Sequence, residues 1–247
     1  GDIELWKKAK AHICETNCRT QVDEDIVFLS LACIESAIRN IDNYPDWFSH
    51  GNFENLPTDA HPAARVFYVK YLLVFAQELA FGNLAREDAK GLAFMKSIPY
   101  ITEPMITQVV ADKTIMVEIY LRLLCSIAYH QTGDIARAIR HLDKAISLCL
   151  ADRFYGPLVE HRRQLGLLLD ERLLLVDETA AKKVKDLHKE LHSGWTKLHN
   201  AILEKNVNVN LSPREREIAR MITYGMTNIQ ISKTLQLSIH TINAIVN

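Results

Sequence analysis

Residues 113–150 read KTIMVEIYLRLLCSIAYHQTGDIARAIRHLDKAISLCL. On both sides of Thr132-Gly133-Asp134 the apolar side chains recur three or four positions apart, the spacing of one helical face. The pattern predicts two helices, over 113–131 and 135–150. A connection this short joins antiparallel neighbours.

The same spacing extends in both directions. It predicts a helix over 23–41 with Ile26, Val27, Leu31, Ile34 and Ile38 inward, stopping near Asn43 because Pro45 cannot continue it. Residues 43–60 form the longest loop-like stretch and carry Tyr44, Trp47 and Phe48, which either rim a ligand groove or anchor the loop on the body. Helices follow over about 62–81, closed by Gly82, and over about 85–97, before Pro99. Two more run over about 157–176 and 179–203.

Turns at Gly82-Asn83, Gly133-Asp134 and Asp177-Glu178 separate helix pairs, each too thin to bury its apolar face alone. The fold class is therefore all-α: an α-solenoid of helical hairpins over residues 1–205. One unit resembles a tetratricopeptide repeat, with Tyr129, Gly133, Ala138, Leu142 and Ala145 at that motif's spacings. Its tryptophan, first glycine and final proline positions hold Arg122, Ser126 and Leu150.

Bulk properties agree. Nine glycines and seven prolines in 247 residues are few for a β-rich fold, and 48% hydrophobic with 24% charged residues describes a globular chain. The richest apolar run, 165–176, is broken by Asp170, Glu171 and Arg172, so no membrane partner is expected. Five cysteines, of which Cys33, Cys125 and Cys149 sit among apolar residues, suit buried thiols of a reducing, cytoplasmic location. No signal segment opens the chain, and Gly1-Asp2 without a methionine reads as a cut boundary.

Residues 206–210, Asn-Val-Asn-Val-Asn, lack a helical stripe and read as a linker. Beyond them, 211–247 carries a net charge of +2 on a chain of net −1. Ser212-Pro-Arg-Glu215 is a capping box with proline in the first turn. Ile218, Met221 and Ile222 form the inner stripe of the helix it opens, which Gly225 ends. Thr227-Asn-Ile-Gln230 is a second capping box, opening a helix with Ile231 and Leu235 inward. Gln236-Leu237 makes the turn, and Ser238 caps a third helix with Ile242 and Ile245 inward.

This is helix-turn-helix spacing, in which the last helix enters the major groove of double-stranded DNA. The residues off its inner stripe, His240, Thr241, Asn243, Ala244 and Asn247, are the candidate base readers, since asparagine suits adenine and alanine or threonine methyls suit thymine. The Thr227 helix start, Asn228, Lys233 and Ser238 are the candidate phosphate contacts.

Leu-Ser-Pro-Arg-Glu-Arg-Glu over 211–217, Gly225, Asn228, Ile231, Leu235, Ser238 and Thr241-Ile242 together resemble the C-terminal domain of LuxR-type regulators. Helical repeats followed by this module also resemble the MalT-like branch, in which a nucleotide-binding switch domain precedes an effector-sensing superhelix. The resemblance implies that this chain is the C-terminal part of a longer regulator, and that 211–247 is a DNA-binding domain short of its last, dimerising helix. It implies homo-oligomers on DNA and a protein or small-molecule effector on the repeats. The chain departs from the family at Asn243, in place of a lysine, and at Ile245, Ile229 and Gln230. A second reading keeps the solenoid as a protein-interaction scaffold with a degenerate helix-turn-helix.

Other clusters point less far. Lys182, Lys183, Lys185 and Lys189 interleave with Asp186 and Glu190, as on a solvated helix face, though they could extend a phosphate contact. His188 and His192 have metal-ligand spacing without a third ligand, and His12, Cys14 and Cys18 are a loose group. Neither supports a metal site, and no cofactor is expected. No phosphate loop, nucleophile elbow or zinc-protease helix occurs, so nothing indicates an enzyme.

Overall fold

The computed structural model describes residues 2–42, 44–81, 88–203, 213–223 and 226–246. Asn43, the Gly82-Asn83 turn, the helix start near 85, the 206–210 linker, the Ser212 cap, Gly225 and Asn247 lie outside them. Every regular element among the described residues is an α-helix.

The hairpin over 113–150 forms as its periodicity predicts, as α6 (Ile115–Gln131) and α7 (Ile135–Ala151). Gly133 takes φ +85° in the turn, a conformation that costs glycine nothing, and Asp134 caps α7 by accepting from the Arg137 amide at 3.1 Å. Along α7 one stripe is buried: Ala138, His141, Leu142, Ala145, Ile146 and Cys149. By contrast α6 is buried nearly all round, from Ile119 to Tyr129, because other helices pack on its remaining sides.

Those neighbours are α4 (His61–Phe81), α5 (Asp88–Ala111) and α8 (Gly156–Leu165). The expected stop before Pro99 is overturned, since α5 continues through Pro99 and Pro104 to Ala111. Each interior proline costs about 3 kcal/mol. Burial of Met95, Ile98, Ile106 and Val109 against α4 and α6, at about 1.5–3 kcal/mol each, offsets that.

The helix expected over 157–176 is instead two, α8 and α9 (Leu167–Val176). Gly166 breaks it at φ +59°, ψ −132°, a region closed to residues with a Cβ. Arg162 spans the break, donating to both carboxylate oxygens of Asp170 at 2.9 and 2.7 Å.

After Asp177, which caps it through the Ala180 amide, α10 (Glu178–Leu203) packs on α8 and α9. Its far end reaches back to α2 (Gln21–Ala37). Trp195 Nε1 donates to the Ala37 carbonyl and His199 Nδ1 to the Ile38 carbonyl, both at 2.7 Å. His188, His192, Trp195 and His199 stack in sequence along this helix, with the Arg163 guanidinium over Trp195. The His188/His192 pair thus belongs to a packing ladder, and His188 Nδ1 donates to the Val159 carbonyl.

Two expectations about α2 fail. It ends at Ala37, because Arg39 takes φ +61° and the Asn40 amide returns to the Glu35 carbonyl in a Schellman-type closure. Its inward face holds Asp25, Leu29, Ala32, Glu35 and Ser36; of the residues expected inward, Ile38 is buried just past the helix end, Val27, Leu31 and Ile34 are half-buried, and Ile26 is exposed. Polar partners make this face tolerable: Lys10 of α1 (Ile3–Cys14) reaches Glu35 at 2.6 Å, and Asn40 donates to the same carboxylate. Cys33 is likewise exposed, whereas Cys125 and Cys149 are buried as expected.

The aromatic loop anchors on the body. Phe48, on the short α3 (Asp46–Ser49), is fully buried among Phe28, Tyr44, Trp47, Phe53, Tyr68 and Tyr71. Among the described residues no helix is long and apolar enough to cross a membrane.

No atom stands within 4 Å of where a Gly166 Cβ would lie, so Gly166→Ala should cost backbone strain alone, about 1–3 kcal/mol in urea denaturation. An unchanged midpoint would mean the α8–α9 break is not fixed by glycine. His161 is buried beside the Tyr120 ring and donates Nδ1–H to the Pro157 carbonyl at 2.8 Å, and burial holds its pKa below the free value of 6.5. Unfolding must therefore take up a proton below pH 6.5, so stability present above that pH is lost as pH falls through the window beneath it. His161→Gln should make the fall in Tm between about pH 7.5 and 5 shallower, measured by circular dichroism.

Candidate nucleic-acid interface

Three short helices, α11 (Pro213–Thr223), α12 (Asn228–Leu235) and α13 (Ile239–Val246), pack pairwise around their own core. Ile218, Ile231 and Ile242 contribute one buried side chain per helix, with Met221, Met226, Leu235, Leu237 and Ile245 packed around them. Ile222, expected inward, is 39% exposed. Although i+4 from Ile218, it sits at the edge of that face, beyond the cover that Ile231 and Ile242 give.

The second capping box forms as read. The Gln230 amide donates to Thr227 Oγ1 at 3.3 Å and the Thr227 amide to Gln230 Oε1 at 2.8 Å. Gln236 ends α12 in the left-handed conformation at φ 52°, and the turn closes as the Leu237 amide donates to the Ser232 carbonyl at 3.0 Å. Ser232 Oγ also donates to the Leu237 carbonyl at 2.7 Å. Ser238 caps α13, accepting from the Thr241 amide at 3.0 Å.

The candidate base readers His240, Thr241, Asn243 and Ala244 are all exposed on α13. Thr227, Lys233 and Ser238 are exposed, and Asn228, at the start of α12, is half-buried. Two of the predicted positions meet: Asn228 Nδ2 donates to Asn243 Oδ1 at 2.9 Å, fixing the Asn243 amide beside the α12 N-terminus. Among the described residues the Asn243 side chain makes no other hydrogen bond, so its amide hydrogens and one oxygen lone pair stand side by side as donor and acceptor. The hydroxyls of Ser238 and Thr241 are 2.8 Å apart at the start of α13.

Sequence reasoning missed the role of Arg214, which entered only as positive charge. Its guanidinium donates to Glu217 at 3.1 Å and to the Leu235 carbonyl at 2.9 Å, so it ties α11 to the C-terminus of α12. The available signal was an arginine one turn before Glu217 on a helix facing another helix end, where a cation is favoured. Ile229, standing where the resembled family carries lysine, is 56% exposed and brings apolar surface to the capped end of α12.

Further along the body, Lys182, Lys183, Lys185 and Lys189 lie on α10, with Lys189 3.7 Å from Asp186, a solvated face. His12 and Cys14 are also exposed.

No curated protein and no solved structure matches the chain. Residues 209–246 match the family model described as bacterial regulatory proteins, luxR family. That match coincides with the three-isoleucine unit, so the chain carries a LuxR-family helix-turn-helix, a DNA-binding domain of transcription regulators, at its C-terminal side.

Proposed function

We propose that the chain reads a specific promoter sequence through residues 211–247 and senses an effector or partner protein through residues 1–205, with 206–210 as the linker. The observation that carries the DNA half is α13 itself. It presents an exposed row, His240, Thr241, Asn243 and Ala244, directly after a turn locked by three hydrogen bonds. In the major groove Asn243 meets adenine N6 and N7, and Thr241 and Ala244 offer methyls to thymine. Thr227, Asn228, Lys233 and Ser238 meet phosphates, and Asn247 and His240 extend the base contacts. Binding as a dimer or higher oligomer pairs two such helices on a two-fold-related site.

The sensing half is supported by the stacked helical hairpins of the body, an architecture suited to protein or peptide partners. Burial of Ala138, Leu142 and Ala145 between α6 and α7 supports the tetratricopeptide-like reading of that pair, and with it the MalT-like arrangement.

Selection from a random duplex pool, followed by titration of the winner in rising salt, tests the proposal. The expected result is enrichment of a two-fold-related site with log-linear loss of affinity in salt. Asn243→Ala should cost about 1–3 kcal/mol at particular base pairs, and Lys233→Ala should weaken all sequences alike and lower the salt slope by about one. Arg214→Gln should lower the unfolding midpoint of the domain and leave the salt slope unchanged. Failure to enrich any sequence with a folded chain would overturn the DNA reading and favour the scaffold. A uniform loss from Asn243→Ala would overturn only its role as a base reader.

A further inference from the structure

Three of the body's buried histidines, His161, His188 and His199, use their rings alike. Each donates Nδ1–H to a backbone carbonyl, of Pro157, Val159 and Ile38. The fourth, His141, does not. Its Nδ1 is buried with no hydrogen-bond partner, and its polar engagement is at Nε2.

Facing that nitrogen are two side chains from two other helices. Cys125 Sγ of α6 lies 3.8 Å away and Glu103 Oε1 of α5 lies 3.3 Å away. The three atoms all lie within 4.8 Å of one another. Cys125 is wholly buried and the His141 side chain is 10% exposed, while Glu103 is about half exposed, so the group opens to solvent on one side.

We propose that Glu103, Cys125 and His141 form a binding site for one divalent transition-metal ion of the zinc class. The proposal does not depend on the DNA-binding reading. Zinc takes sulfur at about 2.3 Å, imidazole nitrogen at about 2.0–2.1 Å and carboxylate oxygen at about 2.0–2.2 Å. At tetrahedral angles those lengths separate sulfur from nitrogen by about 3.6 Å and nitrogen from oxygen by about 3.3–3.4 Å. The observed sulfur–nitrogen and nitrogen–oxygen separations of 3.8 and 3.3 Å differ from these by a few tenths of an ångström. Sulfur and carboxylate oxygen, within 4.8 Å of each other, would close to about 3.6 Å by a turn of the half-exposed Glu103 side chain. Thiolate, imidazole and carboxylate together favour zinc over magnesium or calcium, which take oxygen. Three protein ligands with an open solvent side leave a fourth position for water or an incoming ligand.

The surroundings orient the donors. Tyr129 Oη donates to Glu103 Oε1 at 2.7 Å, and its ring stacks on His141. The nearby guanidiniums are already engaged, Arg122 by Glu118 at 2.6 Å and Arg137 by Asp134 at 2.6 Å. A bound ion would join α5, α6 and α7 at one point.

Cobalt(II) titration of the metal-free full chain is the test, in a background with Cys14, Cys18 and Cys33 changed to serine to remove the other accessible thiols. The expected result is a near-ultraviolet thiolate-to-cobalt charge-transfer band saturating at one ion per chain and abolished by added zinc. Cys125→Ser and His141→Gln should each lose the band, and Glu103→Gln should weaken uptake. Zinc should raise Tm in the parent and not in Cys125→Ser. Circular dichroism of each variant establishes that it is folded, and His141→Gln carries the test should Cys125→Ser not fold. No band with the parent folded, or a band that persists in folded Cys125→Ser or His141→Gln, would overturn the proposal and leave the three side chains as a hydrogen-bonded tie between helices.

Discussion

The body depends on one helix being dry on every side. Between Ile119 and Tyr129, α6 buries Leu121, Leu123, Leu124, Cys125, Ser126, Ile127 and Ala128 with essentially no exposure. A single apolar stripe suits a surface helix, whereas burial all round obliges the chain to supply partners in several directions. The hairpin partner α7 covers one side, and α4, α5 and α8 cover the others. Each large apolar side chain so buried contributes about 1.5–3 kcal/mol, so several together outweigh the roughly 3 kcal/mol that an interior proline costs. Hence α5 runs through two prolines, because leaving α6 partly wet would cost more than two missing amide bonds.

A second constraint acts at the helix ends, where the last carbonyls have no partner of their own. The end of α2 is met from far away in sequence, by the indole of Trp195 and the imidazole of His199 on α10. The final long helix of the body thereby fastens the first hairpin and closes the stack. Arg214 repeats the device on a smaller scale when it binds the Leu235 carbonyl at the end of α12. In both places a side-chain donor on one helix fixes where another helix stops.

These two constraints explain what the sequence disclosed and what it hid. Periodicity located α6, α7 and α10, since each has a long apolar pattern bounded by turn residues. It also found the capping box of α12 and the cap of α13, because those are local. On α2 it placed Ile38 inward correctly but also Ile26, which is exposed, and it did not foresee that Asp25, Glu35 and Ser36 are buried. It missed the Gly166 break, since one glycine in an apolar run looks tolerable until its φ and ψ are known. The row on α13 was legible as whatever did not face inward. The contact between Asn228 and Asn243 was not, and neither was the meeting of Glu103 with His141, 38 residues apart. Such pairs are set by which helices pack together, a property of the whole stack.

The helix-turn-helix unit works under a tighter limit than the body. Its core holds three fully buried isoleucines, too few for hydrophobic burial alone to fix three helices in one arrangement. Polar contacts at its surface therefore help to hold it, namely the Thr227–Gln230 box, the Ser232–Leu237 closure, the Arg214 tie and the Asn228–Asn243 bond. Several of these residues are the ones proposed to meet DNA. A side chain already held by a neighbour loses little rotamer freedom on binding, so contacts that hold the unit together would also prepare the proposed reading surface. The same arrangement sets a limit on specificity. An Asn243 amide anchored through its oxygen presents its remaining donor and lone pair in one direction only, which in the proposed base-reading role would narrow the bases it accepts.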